Sequence, residues 1–122
     1  MSGLSLAFVG DAVYSLLVRE YLSSRAEGLV KDLHAASSTK ISARAQAEAA
    51  RLIMPLLTAD ELDIFKRGRN AHTSHTPKGA RTQQYHAATG LEALFGYLYL
   101  SGKNDRIKEL FNIVFNYSEE NN

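Results

Sequence analysis

The sequence predicts an all-α protein, folded as one domain over residues 1–122. Three observations carry this. Apolar residues recur at helical spacing along most of the chain, and strand-like alternation is absent over any useful length. Helix start and stop signals follow one another in order. A chain of 122 residues with 45 % hydrophobic content supports one buried core.

The first helix is expected from Leu4 to Ser23. Its apolar residues fall nearly all round, which predicts a central position or a subunit interface. Gly28 marks the break after it, and a short turn is expected around Asp32-Leu33-His34. The Ser37-Ser38-Thr39 cluster offers caps for an Ala-rich helix from Ile41 to Met54. Pro55 marks its boundary. Thr58-Ala59-Asp60-Glu61 reads as a capping box, with Thr58 as N-cap and Glu61 at the third position. That helix carries Leu62 and Phe65 and fades between Gly68 and Ala71.

His72 to Thr82 form the one clear loop, of a length often used for function. A long helix is expected from Gln84 to Leu100, then a turn at Ser101-Gly102-Lys103-Asn104. A last amphipathic helix uses Ile107, Leu110, Phe111, Val114 and Phe115, and the tail after Tyr117 is polar and expected to fray. Phe8, Tyr14, Phe95, Tyr97, Phe111 and Phe115 fall on helical faces, which predicts core packing.

Composition excludes several classes. With no cysteine there is no disulfide framework, thiolate nucleophile or thiolate metal site. No apolar run approaches the ~18–20 residues of a membrane span. The N-terminus lacks the basic, apolar and small-residue segments of an export signal. A cytoplasmic protein without membrane association is therefore expected. The net charge of +1 hides an uneven distribution. Between Ile64 and Leu91 there is no Asp or Glu, while Lys66, Arg67, Arg69, Lys78 and Arg81 all lie there. A cationic zone on an otherwise acidic chain reads as an anion-binding surface.

Two acids stand out against apolar surroundings. Asp11 lies in Leu6-Ala7-Phe8-Val9-Gly10-Asp11-Ala12-Val13, and Glu92 in Ala88-Thr89-Gly90-Leu91-Glu92-Ala93-Leu94-Phe95-Gly96. An ionised carboxylate among apolar neighbours is costly unless something pairs with it. The bland reading gives each acid an Arg partner or a backbone to cap. The sharper reading gives them one shared partner, a divalent cation, of which magnesium needs few protein ligands. Ala88 and Gly96 lie one turn to either side of Glu92, and their small size would let a second helix approach.

These residues resemble a known family. Leu6 to Val13 is similar to the ribonuclease III signature L-E-F-L-G-D-A-V, and Glu92-Ala93-Leu94-Phe95-Gly96 to its second motif, E-A-L-x-G. Leu33-His34-Ala35-Ala36-Ser37-Ser38, Lys66-Arg67-Gly68-Arg69-Asn70-Ala71 and Thr76-Pro77-Lys78 resemble Mini-ribonuclease III, the short bacterial branch without a double-stranded-RNA-binding domain. Five motifs in order cover nearly the whole chain. The family's two auxiliary acidic positions fall on Ala7 and Thr89. The resemblance therefore implies Asp11 and Glu92 as the catalytic and metal-binding residues, with Mg2+ as cofactor.

The resemblance further implies a ribonuclease III-like helical domain acting as a homodimer. Its activity would be endoribonucleolytic cleavage of double-stranded RNA, leaving 5′-phosphate ends. The implied substrate is the 23S ribosomal RNA precursor, with a ribosomal protein as a partner that could present it. The alternative function is a non-catalytic domain binding ribosomal RNA or ribosomal protein; keeping both acids argues against it. For RNA binding the candidates are Lys66, Arg67, Arg69, Asn70, Thr76, Lys78 and Arg81, with Lys40 and Arg44 weaker. His72 and His75 have ligand-like spacing, but no cysteine or neighbouring acid supports zinc. His34 and His86 are isolated in the sequence.

Overall fold

A computed structural model describes residues 1–25, 30–71 and 80–120, with side chains left undescribed at 25, 30–31, 80 and 117–120. All secondary structure among them is helical: α1 (Gly3–Arg25), α2 (Val30–Lys40), α3 (Ala43–Ile53), α4 (Ala59–Arg69), α5 (Ala80–Leu100) and α6 (Asn104–Glu120). A single 3-10 turn, Met54–Leu56, carries Pro55 at its start and separates α3 from α4.

Helix α5 is the central post, and α1, α3, α4 and α6 pack around it. Its inward residues Leu91, Leu94, Phe95 and Leu98 are fully buried. They meet Tyr14 and Val18 of α1, Ala50 and Ile53 of α3, Phe65 of α4, and Leu110 and Phe111 of α6. Tyr14 stands edge-on to Phe95 at 5.3 Å and to Phe111 at 5.8 Å, a favoured aromatic geometry. The expected apolar stripe of α6 is buried at all five positions.

The capping signals hold where they were clearest. Thr58 Oγ1 accepts from the Glu61 N–H at 3.2 Å, and the Thr58 N–H donates to the Glu61 carboxylate at 2.9 Å. Gly102 takes φ +72°, and α5 closes with Lys103 N–H on the Leu98 carbonyl and Gly102 N–H on the Tyr99 carbonyl.

Five local expectations are corrected. The turn expected at Asp32-Leu33-His34 is part of α2, and Ser37-Ser38-Thr39 lie inside that helix. Ser and Thr have weak helix propensity, but packing against α1 overrides it. The cap of α3 is Ser42, whose hydroxyl accepts from the Ala45 N–H at 3.2 Å. Helix α5 begins at Ala80, so Arg81 and Thr82 are helical. Helix α6 runs on to Glu120. The rest of the expected loop, with His72, His75, Thr76 and Lys78, lies outside the described residues. Phe8 does not join the core: it is 82 % exposed.

Candidate active site

The site is built where α1 crosses α5. A β-carbon on Gly10 would overlap the Glu92 carbonyl oxygen, and one on Gly96 would overlap the Leu6 carbonyl oxygen. Only hydrogen at both positions lets the two backbones come this close. Asp11 follows Gly10 directly, and Glu92 lies one turn before Gly96. The crossing that fixes the helix pair therefore also sets the two carboxyl groups side by side.

The two acids do not share one environment. Asp11 is exposed, contrary to the apolar surroundings its neighbours in the sequence suggest; Phe8, one turn before it, is itself exposed. Glu92 is half-buried, and its carboxyl is pushed up to about 8. Burial is the larger cause, and the Asp11 carboxyl beside it adds to it by hydrogen bonding and like-charge repulsion. Among the described residues neither acid forms an ion pair. The bland reading, an Arg partner or a capped backbone for each, is not what the fold provides.

A third residue belongs to the site and was missed in the sequence. Gln46 of α3 is 3 % exposed, and its amide acts on Glu92 to favour the charged form. Its Nε2 also donates to the Ile41 carbonyl at 2.9 Å, which pins the side chain. Its Oε1 is buried and has no hydrogen-bond partner among the described residues. The only signal in the sequence was a polar residue on the face formed by Ala49, Ala50 and Ile53.

The donor set suits a hard divalent cation. Two adjacent carboxyl groups, beside a buried amide oxygen with no partner among the described residues, offer oxygen ligands, the kind magnesium prefers. Among the described residues no cluster of three His, Cys, Asp or Glu adds to them. Ala7 and Thr89 supply no further acid. Ala7 is buried, and the Thr89 hydroxyl donates to the Tyr85 carbonyl of its own helix at 2.9 Å.

The basic candidates fall at one end of α4 and the start of α5. Lys66, Arg67 and Asn70 are exposed, as is Arg81. Arg67 donates to the Met1 carbonyl at 2.7 Å. Arg69 lies over the Phe65 ring, 5.9 Å from its centroid, and reaches Asn70 Oδ1 at 3.5 Å. Gly68 packs against Thr89 and Gly90, which anchors this cationic helix end beside the helix bearing Glu92. Arg44 is exposed, and Lys40 lies 5.9 Å from the Phe115 ring centroid.

Comparison with known proteins gives this geometry a family. Residues 4–103 match the family described as the ribonuclease III domain. The chain is similar to a protein named Mini-ribonuclease 3 from Thermoanaerobacter sp., 44 % identical over 98 % of this chain and 84 % of that protein. A second protein of that name, from Brevibacillus brevis, is 49 % identical over 92 % of this chain and 84 % of its own length. A crystal structure of a Fusobacterium nucleatum protein superposes with a TM-score of 0.86 at 33 % identity, covering 97 % of this chain and 94 % of that one. The chain belongs to the Mini-ribonuclease III branch of the ribonuclease III family and is an endoribonuclease.

Proposed function

We propose that the protein hydrolyses phosphodiester bonds of double-stranded RNA with magnesium held by Asp11 and Glu92. The observation that carries this is the glycine crossing, which brings two carboxylates from different helices together, with no ion pair to either among the described residues. A bound divalent cation there would polarise a phosphoryl oxygen, ease deprotonation of an attacking water and offset charge on the leaving oxygen. The chain itself holds the pair in register through Gly10 and Gly96, and Gln46 orients Glu92. It offers no cysteine nucleophile. Hydrolysis of this kind leaves a 5′-phosphate and a 3′-hydroxyl.

Duplex RNA is recognised by shape and backbone, so exposed cations near the acids are the expected grip. Lys66, Arg67, Arg69, Asn70 and Arg81 fill that role in our reading, and Thr76 and Lys78 extend it from the segment outside the described residues. We place the protein in the cytoplasm, acting on the 23S ribosomal RNA precursor, alone or with a ribosomal protein that presents it. No described helix is long and apolar enough to cross a membrane.

A homodimer is supported by the outer face of α1. Leu4, Phe8, Ala12 and Leu16 lie at successive turns and are all exposed. Beside them a groove of about 420 Å³ is walled by Val9, Val13, Leu17 and Tyr99. So much apolar surface on one helix face favours burial against a second copy. Phe8→Asp is expected to give a monomer by sedimentation; an unchanged dimer would move the interface elsewhere.

The test of function is cleavage of a structured duplex RNA with magnesium, with EDTA, and by Asp11→Asn. Cutting by the parent protein alone, and only with magnesium, supports the reading. Equal cutting by Asp11→Asn removes that residue from the site. Salt-sensitive binding without cutting directs the assay to the assembled ribosomal precursor.

A further inference from the structure

A second pocket, mostly apolar in its lining, lies between α1 and α2, away from the carboxylate pair. It has a volume of about 190 Å³ and is walled by Arg19, Leu22 and Ser23 of α1 and Leu33, His34 and Ser37 of α2. Ser37 is 4 % exposed, yet its hydroxyl has no hydrogen-bond partner among the described residues. A buried hydroxyl left unpaired costs free energy, so its presence asks for a partner that the described residues do not supply. Arg19 is exposed and, among the described residues, makes no ion pair. No carboxylate lines the pocket. The exposed guanidinium and imidazole at the rim, with an unpaired hydroxyl buried in the wall, form a donor set for an oxyanion.

We propose that this pocket binds a backbone phosphate of the duplex RNA, a few nucleotides along the strand from the phosphodiester at Asp11 and Glu92. This rests on the RNA reading above. Its position favours RNA over another anion. Asp11, Ser15 and Arg19 follow one another at successive turns of α1, so one helix face leads from the acids to the pocket. The separation along the axis is about 12 Å. A duplex strand covers that distance in a few nucleotides. The pocket also gives a role to His34 and Ser37, which the carboxylate site does not use.

The experiment measures duplex RNA binding by the Asp11→Asn protein, which retains the RNA uncut, across a salt series. Arg19→Ala and Ser37→Ala are then added separately. Arg19→Ala is expected to weaken binding roughly tenfold. It should also reduce the slope of log affinity against log salt by about 1. Arg19→Lys should recover only part of the loss, because an ammonium keeps the charge and not the planar fork. Ser37→Ala should weaken binding several-fold while the free protein melts at the same or a higher temperature, since it removes an unpaired buried hydroxyl. In the cleaving protein both changes should raise KM and spare kcat. Loss on Arg19→Ala with unchanged binding by Ser37→Ala overturns the pocket and leaves a bare surface cation. Unchanged binding by both overturns it outright. Failure of the Asp11→Asn protein itself to bind duplex RNA overturns the RNA reading instead.

Discussion

Glu61 and Glu92 are glutamates drawn in from water on the neighbouring helices α4 and α5, and they are held in opposite ways. Glu61 is gripped by Arg106, whose Nε and Nη2 donate to its two oxygens at 2.9 and 2.8 Å. Its carboxylate also accepts the Thr58 N–H, and Arg106 reaches on to the Leu56 carbonyl at 2.9 Å. The Arg106 hydrogen bonds hold its carboxyl below the usual range despite burial. Glu92 has Asp11 for a neighbour instead of an arginine, and burial with that neighbour pushes its carboxyl up to about 8. An acid matched by a cation is finished, and its role is to tie α6 to the start of α4. An acid matched by another acid is unfinished, and that incompleteness marks the working site.

The comparison breaks most sharply on activity. Glu92→Gln and Asp11→Asn are each expected to lower cleavage of duplex RNA by roughly a thousandfold or more, with the helical circular dichroism unchanged. Near-parental cleavage by either would show that the acid pair is not the reacting centre. Next comes the crossing itself. Gly10→Ala places a methyl group on the Glu92 carbonyl, and the helices must part. Denaturant titration should show a loss of about 3 kcal/mol, and cleavage should fall as the carboxylates separate. Full stability in that variant would mean that the close approach is not needed.

Glu61→Gln is the structural counterpart. It leaves Arg106 with Glu109 alone as counter-charge and weakens the cap of α4, at an expected cost of about 2 kcal/mol. Cleavage per folded molecule should be unchanged at low temperature; a fall in kcat would give Glu61 a functional role. The smallest effect is on pH dependence of the metal-free protein, and its sign differs between the two acids. Glu61 has a lowered folded-state pKa, so its contribution is present at neutral pH and is lost as acid protonates the folded form. Glu92 has a raised one, so the folded protein holds a proton that the unfolded chain releases. Its contribution to stability therefore declines as pH rises from about 4.5 towards about 8. Glu92→Gln should flatten stability over that window, and Glu61→Gln should flatten it on the acid side. Identical profiles for the two variants would erase the distinction.

The sequence alone determined the all-α class, the capping box at Thr58, the stripe of α6, the turn at Gly102 and the pairing of Asp11 with Glu92. Each is written in local spacing, in turn chemistry or in motifs that stand out against apolar neighbours. Tertiary structure decided what depends on which surfaces meet. Helix α2 forms from weak helix formers because it packs on α1. Asp11 lies open while Glu92 is drawn inward, because α3 brings Gln46 over one acid and no described residue covers the other. Phe8 faces outward although helical spacing suited it to the core. Gln46 could not be read from spacing, because Glu92 comes from a helix far along the chain, and the pocket of Arg19, His34 and Ser37 could not, because its walls come from two different helices. Burial and proximity are properties of assembled surfaces, and a one-dimensional pattern records only the face a residue occupies, not what arrives to meet it.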